Sequence, residues 1–242
     1  LSSAASDVYK RQILNDAIPG IEKSHAIENI RLAAEKLRGK DVKPDEFYGM
    51  VFQDSDVAKW IEAAAYALAA GEDPELEKAV DETIQLYGAS QHEDGYVDSY
   101  FTVKCPDKMW TNICDAHELY CAGHMMEAAV AYYEVTGKRE LLDIMSKSAD
   151  CIYEQFMKKN TRAYPGHPEV ELALMRLWRA TGNEKYKELA KHFVDVRGQA
   201  PNYFVEEKKN RGWNVWDGTE ELNTDYTQST LPCLLYISPS PR

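Results

Sequence analysis

Three short stretches hold most of the residues that could do chemistry. DAHELYCAGH places His117, Cys121 and His124 at i, i+4 and i+7, on one face of a helix. Two imidazoles and a thiol so spaced could hold a metal ion. They resemble the HExxH pair only superficially, because the second histidine comes too late. Histidine and free cysteine are often buried without a metal, so the plainer reading has one histidine facing a cavity while Cys121 and His124 pack in a core. No metal ligand is assigned. In YPGHPEVELAL, His167 stands at the threshold of a helix, between Gly166, which permits close backbone approach, and Pro168, which suits a first helical turn. His167 could donate a hydrogen bond into a pocket or cap local backbone, and the residues favour neither. In QHEDGYVDSYF an Asp94-Gly95 turn precedes Tyr96, Tyr100 and Phe101, rings that could stack on sugar C–H faces or anchor a loop. VFQDSDVAKW sets Phe52 and Gln53 beside Asp54 and Asp56, and a role in capping the next helix suffices to explain the two acids. With 40 acidic residues in the chain, no acid–base pair such as Asp54 with Glu118 can be nominated from spacing. There is no GxSxG, phosphate loop or dinucleotide fingerprint.

Helices must position these residues. Ser24 can cap a helix through IENIRLAAEKL that ends near Gly39. SDVAKWIEAAAYALAAG places Val57, Trp60, Ile61, Ala64, Ala65 and Leu68 on one helical face and stops at Gly71. Pro74 opens the next helix. Further helices are expected over about Asp115–Thr136 and Arg139–Met157, then through PEVELALMRLWRATG and NEKYKELAKHFVDVRG. Gly137 and Gly182, 45 residues apart, each follow Thr at the turn of an apolar–amphipathic helix pair, and an earlier pair turns at Gly71. Such repeats indicate stacked helical hairpins, in an open solenoid or a closed ring. The long aromatic and polar connections favour the ring with a ligand pocket. After Pro201 the sequence reads as loop, with Trp213, Trp216 and Tyr226 as candidate pocket covers.

The two ends differ from the rest. SSAASDVYKRQ, Ser2 to Gln12, is the translation of a transposase adapter used in sequencing libraries. CLLYISPSPR, Cys233 to Arg242, matches the companion adapter at every position but Ile237. Residues 1–12 and 233–242 are therefore set aside as adapter-derived, leaving 13–232 as a piece of a longer protein. The 242-residue chain carries a formal charge of −12. The flanks hold three basic residues (Lys10, Arg11, Arg242) and one acidic (Asp7), so 25 basic and 39 acidic residues remain, a net −14. That balance disfavours nucleic acid and anionic membrane as partners. No apolar run approaches the roughly 20 residues of a membrane span. Cys105, Cys114, Cys121 and Cys151 follow no CxxC or disulfide spacing, so a reducing, cytoplasmic compartment is expected.

An ordered set of motifs adds what periodicity cannot: LNDAIPG, SHAIENIRLAA, FYGMVFQDSDVAKWIEAAAY, QHEDGYVDSYF, HELYCAGHMMEAAVAYYEVTGK, YPGHPEVELALMRLWRATG and DYTQSTLP. Over nearly all of Ile13 to Pro232 the chain resembles the glycoside hydrolase family 127 beta-L-arabinofuranosidases. The resemblance implies an all-α catalytic domain, an (α/α)6 barrel cut at about half the ring, with β-sandwich domains beyond it. It implies retaining hydrolysis of terminal beta-L-arabinofuranosyl residues from an oligosaccharide or glycoconjugate. The family's nucleophile is a zinc-bound cysteine thiolate and its acid/base a glutamate, both in the second half of the barrel. None of the four native cysteines falls in the matching motif, so this chain is expected to bind no zinc and to be inactive alone. His117 and His167 match histidines that contact arabinofuranose, and Phe52 matches a pocket aromatic. Two departures stand out: the family's Gln-Trp before LND is replaced by the adapter stretch, and Thr230 stands where members often have histidine. Half a ring is expected to expose apolar surface and to associate. The rival readings are another (α/α)6 carbohydrate enzyme, of unsaturated glucuronyl hydrolase or epimerase type, and a non-catalytic helical-repeat scaffold.

Overall fold

The computed structural model describes residues 18–159 and 161–215. The adapter-like ends lie outside these residues, as do Trp216, Tyr226, Thr230 and the LND and DYTQSTLP motifs. A short α1 (Ile18–Lys23) leads into α2 (Ala26–Leu37). Two longer helices follow, α3 (Asp54–Ala69) and α4 (Pro74–Ala89). Next come the short α5 (Ser99–Lys104), then α6 (Glu118–Thr136) and α7 (Glu140–Tyr153), the last continued by a π turn over Glu154–Lys158. α8 (Glu169–Thr181), α9 (Glu184–Val196) and α10 (Tyr203–Arg211) complete the described chain.

The helices pair as their repeat requires. α3/α4, α6/α7 and α8/α9 are hairpins, and Gly137 and Gly182 end α6 and α8 in the left-handed conformation, at φ 74° and 73°. Asp73 caps α4 by accepting from the Leu76 amide at 3.1 Å, with Pro74 in the first turn. The first helices α3, α6 and α8 lie side by side with α6 in the middle; α4, α7 and α9 form a second layer behind them. This is an arc of an (α/α)6 barrel, and the described residues are all-α. One continuous core runs between the layers, from Ile30 and Trp60 through Met125 and Tyr132 to Leu177 and Phe193. A helix in the middle of the arc meets neighbours on almost every side, and 13 of the 19 residues of α6 are buried. The flanking α7 and α9 are amphipathic instead, burying Leu141, Leu142, Met145, Ala149 and Ile152, and Tyr186, Leu189, Ala190 and Phe193.

Several elements differ from the sequence reading. Neither Asp54 nor Asp56 caps α3. Asp54 is buried, and its carboxyl accepts from the Ser99 amide at 2.8 Å and from the Ser99 hydroxyl, joining the start of α3 to the start of α5. Ser24 stands one residue outside the cap position, which His25 fills in the left-handed conformation, while the Ser24 hydroxyl accepts from the Ala26 amide at 3.3 Å. The stretch after Pro201 is not wholly loop: α10 forms there, capped by Asn202, which accepts from the Phe204 amide at 3.0 Å. The α3–α6–α8 layer also carries a charged cluster. Arg176 of α8 bridges Glu127 of α6 and Glu62 of α3. Among the described residues the exposed large apolar side chains are Leu37, Tyr48, Met50, Tyr66, Leu172, Val194 and Val205, with Tyr48 and Met50 on one loop. Among the described residues no helix is long and apolar enough to cross a membrane.

α6 and α8 approach closely at Gly123. A Cβ there would stand 2.8 Å from the Val170 amide nitrogen and 2.9 Å from its Cα, both backbone atoms. Alanine normally gains up to about 1 kcal/mol over glycine inside a helix. At this position the contact reverses the sign, and Gly123→Ala is expected to destabilise the fold by about 1–3 kcal/mol. Urea unfolding followed by circular dichroism checks this, and a stabilised variant would contradict it.

Candidate functional site

The three residues singled out for a pocket come from three separate loops. Phe52 lies just before α3, His117 just before α6 and His167 just before α8. Because those helices are neighbours in one layer, their N-terminal ends gather at one rim. Phe52 packs on His117 with ring centroids 5.3 Å apart. Tyr120, in the first turn of α6, meets the rings of His117, His124 and His167 at 5.4, 4.5 and 4.7 Å. Lys59 of α3 donates to the Tyr120 hydroxyl at 3.0 Å, and Glu169 of α8 lies 3.4 Å from Nδ1 of His124. Neither Tyr120, Lys59 nor Glu169 was legible as a site residue. Their only signal is position, one turn or less from HEL, SDV and GHP on faces that become neighbours only in the fold.

The segment from Asn112 to Glu118 positions the histidines. His117 has φ 61°, an uncommon conformation for a non-glycine residue. Its Nδ1 lies 2.6 Å from the Asp115 carbonyl oxygen. A carbonyl only accepts, so Nδ1 carries the proton and Nε2 is a bare acceptor. Asp115 is fixed in turn by Arg211 of α10 at 2.7 Å. Glu207 of α10, 6% exposed, accepts from the amides of Ile113 at 2.8 Å and Cys114 at 3.1 Å. Glu118, 3% exposed, accepts from the Trp110 amide through both oxygens and from the Tyr96 hydroxyl at 2.7 Å. The loop bearing His167 rests on the same segment: a Cβ on Gly166 would stand 1.9 Å from the Cys114 carbonyl oxygen.

Other candidates take different places. Tyr96 and Phe101 are buried, so they anchor the loop rather than form an open platform. Trp213 packs on Phe101 at 6.2 Å and donates to Thr111 at 3.0 Å, covering that anchor and not the histidines. Cys121 is buried, with its thiol toward the Ser55 backbone, and does not join the imidazole cluster.

Known proteins resemble the chain along most of its length. The family profile described as "Beta-L-arabinofuranosidase, GH127 catalytic domain" matches residues 5–233. The chain belongs to this family. The non-reducing end beta-L-arabinofuranosidase of Bifidobacterium longum subsp. longum is 41% identical over 219 residues, which are 87% of this chain and 32% of that protein. The solved GH127 beta-L-arabinofuranosidase Ara127N-Se from Geobacillus stearothermophilus T6 superposes with a TM-score of 0.75 at 54% identity, over 85% of this chain and 32% of that one. The GH127 beta-arabinofuranosidase BT3674 gives 0.69 at 33% identity, over 78% of this chain and 32% of that one. The GH127 chain thus spans about a third of the length of these relatives.

Burial dominates the electrostatics of the GH127 site. It lowers the pKa of His117, and it lowers that of His167 with help from His117 and Lys59. It brings His124 down to about 4, aided by Lys59 and His167. Burial, with Glu127 and Glu62 adding repulsion, brings Glu169 up to about 7. The His124–Glu169 contact therefore holds a neutral imidazole, because burial, Lys59 and His167 all disfavour its charged form. Neutral imidazoles can donate and accept, which suits the hydroxyls of an uncharged sugar. The thiols are held protonated: burial pushes Cys105 up to about 11 and Cys151 to about 12, and raises Cys114 and Cys121 as well. No group of three or more His, Cys, Asp or Glu side chains among the described residues is placed to hold a metal ion. The zinc–thiolate centre implied by the family does not fit the cysteines described here.

Two outcomes follow. Glu207→Ala would leave the buried Ile113 and Cys114 amides without acceptors. A loss of about 2–4 kcal/mol is expected in urea unfolding, with the His117 imidazole resonances displaced. Unchanged stability would contradict the bracing role. The two titrating partners act with opposite signs. Because the folded pKa of His124 lies below its ordinary 6.5, its contribution to stability is present above 6.5 and lost as pH falls toward about 4. Because the folded pKa of Glu169 lies above its ordinary 4.5, its contribution is present below 4.5 and lost as pH rises through about 7. An NMR titration should show His124 neutral throughout the range where Glu169 ionises; protonation of His124 near pH 6.5 would contradict the assignment.

Proposed function

We propose that the protein to which this chain belongs hydrolyses terminal beta-L-arabinofuranosyl residues of oligosaccharides or glycoconjugates with retention, and that this chain supplies part of the sugar pocket rather than the nucleophile. The observation that carries the reading is the convergence of His117 and His167 on Tyr120 at one rim, with Phe52 packed on His117. In it, Nε2 of His117 accepts a hydrogen bond from a sugar hydroxyl, His167 makes a second polar contact, and Phe52 lies against a C–H face. Tyr120, fixed by Lys59, sets the angles between the imidazoles.

Zinc, when bound in the whole enzyme, holds a cysteine as the thiolate. Among the described residues no cysteine is grouped with the further His, Cys, Asp or Glu side chains that a zinc site needs, which supports a nucleophile contributed from elsewhere in the protein. The free cysteines are also in keeping with a reducing, cytoplasmic compartment.

The purified 242-residue chain is expected to release no L-arabinose from a beta-linked aryl arabinofuranoside, with or without added zinc. Release would overturn this division of labour. In the longer parent protein, His117→Ala and His167→Ala are each expected to lower kcat/KM by about ten- to a hundredfold, the loss of one buried hydrogen bond. Wild-type kcat/KM in both variants would overturn the pocket assignment.

A further inference from the structure

One exposed loop is held far more firmly than its exposure requires. Tyr48 is 62% exposed and Met50 is 45% exposed, yet two buried amide side chains fix the backbone that carries them. Asn29 of α2, 1% exposed, donates to the Tyr48 carbonyl at 2.7 Å and accepts from the Tyr48 amide at 3.1 Å. Gln53, 8% exposed, accepts from the Met50 amide at 3.1 Å and donates to the Ser24 carbonyl at 3.3 Å. One side of the Tyr48 ring rests on His25, with centroids 4.7 Å apart and planes tilted by 54°. The rest of the ring faces solvent. Two residues beyond Met50, the same loop turns Phe52 onto His117 in the pocket. The stretch FYGMVFQ, from Phe47 to Gln53, contains no charged residue.

We propose that Tyr48 and Met50, held by Asn29 and Gln53 on the rim beside Phe52, form a second subsite that stacks on the uncharged sugar to which the terminal arabinofuranosyl residue is attached. An exposed aromatic ring gains most as a sugar platform when its backbone is already immobile, because little ordering entropy is then lost on binding. An uncharged loop suits a neutral glycosyl residue with an apolar C–H face. A thioether adds a polarisable contact that adapts to ring pucker. The subsite selects what the arabinofuranosyl group is bonded to and makes no contact with the reacting bond.

The inference rests on the pocket reading above, and the test separates the two. Methyl beta-L-arabinofuranoside and a beta-L-arabinofuranosyl disaccharide are titrated into the chain, with the imidazole resonances of His117 and His167 as the readout. The disaccharide is expected to bind more tightly. Tyr48→Ala should weaken the disaccharide by about fivefold, the size of one aromatic contact, and leave the methyl glycoside unchanged. Tyr48→Phe should keep the preference. Tyr48→Ala weakening both ligands alike, or neither, would overturn the subsite while leaving the pocket intact. If neither ligand moves the imidazole resonances, the pocket reading fails and the subsite with it.

Discussion

Buried backbone amides must find acceptors, and in this chain two buried carboxylates supply them to one irregular segment. Glu118 accepts from the Trp110 amide, and Glu207 accepts from those of Ile113 and Cys114. Without them the chain between α5 and α6 would carry unsatisfied donors into the core. That segment is also where α6 starts, where His117 adopts its left-handed conformation, and where the Gly166 loop rests. α10 is drawn onto it through Glu207 and Arg211. The start of the central helix, the docking of α10 and the orientation of His117 therefore share one hydrogen-bonding constraint.

The same constraint explains why the region is polar inside. A hydrophobic segment could fill that volume, but it could not terminate three amides. The cost appears in the carboxyl groups: burial raises Glu118 to about 8 and raises Glu207 as well, despite the donors around each. Charge pairing also links α3, α6 and α8, with Arg176 between Glu62 and Glu127. Polar groups here specify which helices meet and at what height. The apolar core between the two layers supplies the burial.

Much of the fold was legible because it is local. Pro74 in a first helical turn, and the Thr-Gly endings at Gly137 and Gly182, are signals within a few residues, and the hairpins followed from them. What escaped was non-local. Asp54 looks like a cap in sequence, but its acceptor capacity is taken by Ser99, 45 residues away. α10 has a weak apolar face, with only Phe204 and Glu207 buried, and it is held by partners more than 90 residues upstream. His117 and His167 stood out by residue type and place, but their grouping with Phe52 in one pocket came only from the family motifs, since nothing in their spacing shows that three loops meet. Tyr120 and Lys59 have the composition of ordinary surface residues until α3, α6 and α8 are set side by side.

Placing the imidazoles at helix entrances has a further consequence. His117 and His167 stand at the N-terminal ends of α6 and α8, where the partial positive charge of unpaired amides disfavours an imidazolium. Lys59 acts in the same direction on His124 and His167. Burial, helix ends and a lysine thus all favour the neutral ring. Glu169 tests the relative size of these effects. In the first turn of α8 it occupies the position where the helix end favours a carboxylate, and Lys59 and Arg176 add to that preference. Its pKa nevertheless rises to about 7, so desolvation together with Glu127 and Glu62 outweighs both. Desolvation penalises whichever form is charged, so it drives acid and base alike toward neutrality. The three imidazoles of this rim are therefore neutral groups able to donate and accept, set beside the Lys59 side chain.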